Sequence, residues 1–154
     1  MRLKGRKRWG PGVLDAVAKD AEKHIELIRH GLASLRETEE PDLDDIQTMG
    51  VFEGSLEAFE WVVRAVRQGI DYAEFLDTAD QVLRVTIGRQ RALTRYGGSH
   101  HDWRDYASNT AWDRRTYAQI GHYSGEIDVI TRMNRDYDLG LDPELVSEAK
   151  YYIY

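Results

Sequence analysis

The stretch VLDAVAKDAEKHIELIRHGLASLR, residues 13–36, decides the fold class. Its apolar residues Leu14, Ala18, Ala21, Ile25, Ile28, Leu32 and Leu35 follow one another at alternating spacings of four and three. On an α-helix that rhythm draws them into one stripe, the seam of helices packed nearly parallel or antiparallel. No segment elsewhere alternates polar and apolar residues at the period of two that a half-buried strand requires. The expected class is therefore all-α, a single-domain bundle of four to five helices.

Working outward, the segment RETEEPDLDDIQ has acidic residues, Pro41 and no period, and reads as a solvated connection. A second helix is predicted from Asp45 or Thr48 to Gln68, with Leu56, Phe59, Val62, Val63 and Val66 on one side. Gly69 ends it, since glycine takes positive φ without a Cβ clash, and Arg64 and Arg67 suit the negative end of the helix dipole. A third helix, residues 71–96, places Phe75, Leu76, Ala79, Val82, Leu83, Thr86, Ile87 and Leu93 on one stripe. A fourth is expected from near His100 to about Tyr137, with a break around Asn109. It has two faces, one of Trp112, Ile120, Tyr123, Ile127 and Ile130, the other of Ala118, Gly121, Gly125 and Val129. Small side chains let a neighbouring helix approach closely, so Gly121 and Gly125 mark a packing or oligomer interface. Asp142-Pro143-Glu144 is a helix start, with an Asp cap and Pro in the first turn. The short terminal helix ends in Tyr151, Tyr152, Ile153 and Tyr154, too apolar to fray freely and expected to dock on the bundle or on a second subunit.

The 154 residues fit one domain, with a basic arm at 1–12 and a helical bundle at 13–154. Cysteine is absent, which excludes disulfides, thiolate metal sites and thiol nucleophiles, and suits a reducing cytoplasm. No apolar run approaches the roughly 20 residues of a membrane span, and no apolar segment follows the basic N-terminus as an export signal would require. The chain is expected to be cytoplasmic, without membrane contact, or virion-associated if phage-derived. The net charge of -6 is unevenly spread: the first ten residues carry five basic and no acidic side chains, leaving 16 basic against 27 acidic in the rest.

Three constellations invite chemistry. Glu57-x-x-Glu60 and Glu74-x-x-Asp77 resemble the ExxE…ExxD signature of the all-α nucleoside-triphosphate pyrophosphohydrolases of the MazG type. That resemblance implies carboxylates from two adjacent helices holding magnesium against a triphosphate. If Gly69 and Ile70 turn an antiparallel pair, Glu60 and Asp77 sit at similar heights. A helical wheel at about 100° per residue nevertheless places all four acids on the polar faces, with Glu60–Arg64 and Asp80–Arg84 as surface pairs four apart.

The second constellation is the histidines His24, His30, His100, His101 and His122. Di-iron bundles pair Glu and His three apart, whereas Glu26–His30 and His122–Glu126 are four apart, and His24 borders the apolar seam. His101-Asp102 is similar to the dyad of HD-type phosphohydrolases, but GGSHHDW reads in nearly every residue as a helix start, with Ser99 as cap and Asp102 in the capping-box position, and leaves only the imidazoles of His100 and His101 without a role. Asp136-x-Asp138-x-Gly140-x-Asp142 lacks the glycine and glutamate positions of a calcium loop and reads as a turn into the Asp142 cap. No catalytic residue, metal or cofactor is assigned.

The third is the arm, Arg2, Lys4, Arg6, Lys7 and Arg8 with Trp9. Its cations can neutralise phosphates and Trp9 can stack on a base, or the arm can bind an acidic protein surface. Nucleic acid is approachable by this arm alone, or by the local cluster Arg84, Arg89, Arg91 and Arg95, which otherwise reads as a solvated face. The sequence thus predicts a non-enzymatic helical interaction or assembly protein, oligomeric or bound to a protein partner. In style it also suits a phage or mobile-element accessory protein. The alternative is a MazG-like magnesium-dependent pyrophosphohydrolase.

Overall fold

The structure, a computed structural model, describes residues 12–95 and 113–153. Five α-helices follow in order: α1 (Gly12–Arg36), α2 (Leu43–Arg67), α3 (Tyr72–Arg95), α4 (Asp113–Tyr137) and α5 (Pro143–Ala149), and a 3-10 turn Lys150–Tyr152 closes the described chain. No strand occurs among the described residues. The fold is an all-α bundle of four long helices with a short C-terminal helix.

Local chemistry sets the helix ends. Asp42 caps α2 with a capping box: its carboxylate accepts from the Asp45 amide at 2.8 Å and the Asp45 carboxylate accepts from the Asp42 amide at 3.1 Å. The acidic connection expected to be merely solvated thus supplies the start of a helix. Gly69, at φ +85°, ends α2 as its sequence position predicts. Asp142 caps α5, accepting from the Glu144 amide with Pro143 in the first turn. The turn before it is held by Asn134, whose Oδ1 accepts from the Gly140 and Leu141 amides at 3.1 and 2.9 Å.

A pair of parallel helices, α2 and α4, forms the middle of the bundle and makes its most extensive contact. Direction follows from facing residues: Gln47 meets Gly121 and Val51 meets Gly125, both numbers rising together. Helix α1 packs antiparallel on α2, with Arg36 opposite Glu53, Arg29 opposite Glu60 and Arg67 opposite Glu22. Helix α3 packs antiparallel on α4, where the Gln90 amide donates to the Ile120 carbonyl at 3.0 Å and the Thr86 hydroxyl donates to Glu126 at 3.2 Å.

One apolar cluster joins all five helices, from Leu14, Val17 and Ala21 of α1 through Phe59 and Val62 of α2 to Phe75, Leu76, Leu83 and Ile87 of α3, Ile127 and Ile130 of α4 and Leu145 of α5. Side chains such as Phe75, Leu83 and Ile127 are fully buried, each contributing about 1.5–3 kcal/mol relative to exposure. A second, smaller cluster centres on Tyr117 and Ile120, with Leu43, Ile46 and Leu93 around it.

Two details depart from the sequence reading. The antiparallel pairing of α3 along α2, the condition under which Glu60 and Asp77 would sit at similar heights, is not formed. The two helices touch near their turn, where Trp61 stacks on Phe75 at 5.3 Å, but α3 packs mainly along α4. The surface pairs Glu60–Arg64 and Asp80–Arg84 are also replaced. Glu60 pairs with Arg29 of α1, and Asp80 accepts the Asp142 amide at 3.0 Å, because a neighbouring element offers each carboxylate a partner. The expected first part of the fourth helix, with Ser99, His100, His101, Asp102 and Trp112, lies outside the described residues, as does Tyr96.

Candidate functional site

The seam between α2 and α4 is built from glycine on both sides. Gly50 and Gly54 stand four apart on α2, Gly121 and Gly125 four apart on α4, so each pair lies one turn apart on one face. A Cβ at Gly50 would fall inside contact distance of the Ala118 carbonyl oxygen, and one at Gly54 of the His122 carbonyl oxygen. Reciprocally, Gly121 faces the Gln47 carbonyl and Gly125 the Val51 carbonyl. The hydrogen in place of each Cβ points at an oxygen, the arrangement of a Cα–H···O contact, worth about 0.5–1 kcal/mol. Buried Ser55 adds a hydroxyl donating to the Gly125 carbonyl at 3.4 Å.

This backbone contact carries His122, between Gly121 and Gly125, toward Glu57, one turn beyond Gly54. The His122 Nε2 lies 2.8 Å from Glu126 Oε1 and 3.1 Å from Glu57 Oε2. Glu126 is 13% exposed, His122 28% and Glu57 67%, so the group grades from the bundle interior to solvent. The hydrogen bond with Glu126 raises the His122 pKa above its ordinary 6.5; burial opposes this, and the charges of Glu126 and Glu57 add to it. Among the described residues these three form the one group of His and carboxylate ligands able to hold a metal ion, with ligand atoms all within 4.8 Å of one another.

Beside the group opens a cleft of about 560 Å³ between α1 and α2, lined by Arg29, Arg36, Glu53, Glu57, Glu60 and His122 among others. Its cations are matched by carboxylates, Arg29 to Glu60 at 3.3 Å and Arg36 to Glu53 at 3.4 Å. These exposed pairs fix little energy, about 0–1 kcal/mol each, but they set the charge pattern of the cleft wall.

The other sequence candidates are dispersed. Glu57 and Glu60 line the cleft, whereas Glu74 and Asp77 are exposed on α3 and join neither the cleft nor the metal-capable group. Since α3 runs along α4, the two acidic motifs do not share one wall. His24 stacks on Phe59 at 5.0 Å and lies 3.7 Å from Asp20, separate from His122, and His30 is exposed. Arg84 and Arg89 are exposed, and Arg91 pairs with Glu148 of α5. Gly121 and Gly125 are buried against α2 of the same chain. At the C-terminus, Tyr152 is half-buried with its hydroxyl 3.4 Å from Arg91 Nε, while Tyr151 is 72% and Ile153 37% exposed. Arg2, Lys4, Arg6, Lys7, Arg8, Trp9 and Tyr154 lie outside the described residues.

The sequence reading missed Glu57 as a partner of His122. The signal available was the repeated glycine spacing: 50 and 54 on one helix, 121 and 125 on another, each pair with a member of the Glu57–His122–Glu126 group three or fewer positions away. No family model, curated protein or solved structure matches this chain.

Proposed function

We propose that the protein is a non-enzymatic helical interaction or assembly protein, which joins copies of itself or a protein partner through the C-terminal end of the bundle. The observation that supports this is the exposure of Tyr151 and Ile153 where the terminal turn packs beside α3 and α5. Ile153 borders a groove of about 370 Å³ with Val146, Thr131, Arg132, Arg135 and Lys150. An apolar floor with a charged rim is the usual anatomy of a protein interface, and tyrosine is enriched there because it supplies large contact area with a polar tip. The basic arm at residues 1–12 gives a second contact, to an acidic protein surface or to nucleic acid.

Sedimentation velocity of the full chain tests the reading. A defined oligomer is expected, shifted toward monomer by Tyr151→Ser with Ile153→Ser, and weakened by removal of residues 1–10. A monodisperse monomer whose partner binding is indifferent to both changes would overturn it.

A further inference from the structure

The Glu57–His122–Glu126 group presents one imidazole nitrogen to two carboxylates from two helices. Nitrogen and oxygen ligands sit about 2.0–2.2 Å from a zinc-sized cation, so neighbouring ligand atoms around one ion are about 3–3.5 Å apart. The separations of 2.8 and 3.1 Å at His122 Nε2 are already close to that spacing. Exposed Glu57 has room to change rotamer and complete it. We propose that Glu57, His122 and Glu126 bind a divalent first-row transition cation that clamps α2 to α4.

Preorganisation supports the assignment. Gly121 and Gly125 flank His122, and Gly54 precedes Glu57 by three residues, so the backbones carrying the ligands are fixed by direct contact. Thr86 of α3 donates to Glu126 Oε2 at 3.2 Å, which orients the carboxylate and leaves Oε1 toward His122. A hydrogen bond to the non-ligating atom of a ligand is the ordinary second layer of a metal centre. One imidazole with two carboxylates suits zinc, manganese or iron, whereas magnesium and calcium favour oxygen ligands alone. Three protein ligands leave coordination positions for water on the side of the cleft, which Glu57 and His122 both line.

Calorimetric titration of the full chain with Zn²⁺, Mn²⁺ and Mg²⁺, and optical titration with Co²⁺, tests this. One equivalent of Zn²⁺ is expected, with Mg²⁺ bound at least about 100-fold more weakly. Co²⁺ should show bands of a nitrogen and oxygen ligand set. Glu57→Gln, a surface change that leaves the fold intact, should weaken Zn²⁺ by more than about ten-fold, and His122→Ala should abolish binding. The double variant His100→Ala with His101→Ala should keep the equivalent. Absence of stoichiometric binding at about 1 mM Zn²⁺, an equivalent undiminished by Glu57→Gln, or one lost with His100 and His101 would each overturn the proposal.

Discussion

The α2–α4 seam and the apolar core beside it hold the same bundle together by opposite means. In the core, Phe75, Leu83, Ile87, Ile127 and Ile130 fill space completely, and stability comes from what the side chains add. In the seam, Gly50, Gly54, Gly121 and Gly125 add nothing, and the helices meet through backbone oxygens. The core is therefore vulnerable to lost volume and the seam to gained volume. That is a difference in sign, and it can be measured.

The largest effect is expected in the core. Phe75→Ala, which removes a fully buried ring stacked on Trp61, should cost about 3–5 kcal/mol in denaturant unfolding. Gly54→Ala adds one methyl group against the His122 carbonyl and should cost about 3 kcal/mol, because backbone cannot yield as a side-chain end does. A cost at position 54 below about 1 kcal/mol would mean that the seam parts easily, and the contrast would fail.

A smaller effect should follow pH at the seam alone. The pKa of His122 is raised in the folded protein, first by its hydrogen bond with Glu126. The imidazolium therefore contributes fully below the ordinary value of 6.5, and its contribution is lost as pH rises through the raised value. With a chelator present, the denaturation midpoint should fall across that window, and His122→Gln should flatten the His122-dependent part of the profile.

The smallest change has the reverse sign. Gly88 lies exposed inside α3 with nothing within 4 Å of a built Cβ. Gly88→Ala should stabilise the protein by about 0.5–1 kcal/mol, chiefly by restricting the unfolded chain. One substitution type at positions 54 and 88 thus separates seam from surface.

The sequence was most legible where one face of a helix carries all the information. The stripe from Leu14 to Leu32 in α1 and that from Phe75 to Ile87 in α3 are buried or half-buried as their spacing predicts. The α2 helix was read only in part. Phe59 and Val62 mark its core side, but its contact with α4 is made by Gly50, Gly54, Ser55 and Gln47, residues a search for apolar periodicity passes over. Gly121 and Gly125 were recognised as a close-packing face, yet their partner could not be named while Gly50 and Gly54 went unread. The candidate site was hidden for the same reason. His122 and Glu126 are neighbours on one helix, but Glu57 joins them only through the parallel pairing of α2 with α4, which no local pattern encodes. The acidic motifs on α2 and α3 are close in sequence but line no common wall, because α3 packs mainly along α4 and Glu74 and Asp77 stay on the polar face that the helical wheel gives them.

The parallel pairing of α2 and α4 also bears on the order in which the fold assembles. Ser55 and Gly125, joined across the seam, are 70 residues apart in sequence, whereas α1 and α2 are joined by a short connection. Closing the longer loop costs more chain entropy and rewards it later. The α1–α2 hairpin is thus expected to form from local contacts while the glycine face of α2 stays uncovered. The arrival of α4 then closes the bundle and, in the same step, brings Glu57, His122 and Glu126 together, so the candidate metal centre becomes a marker of completed folding.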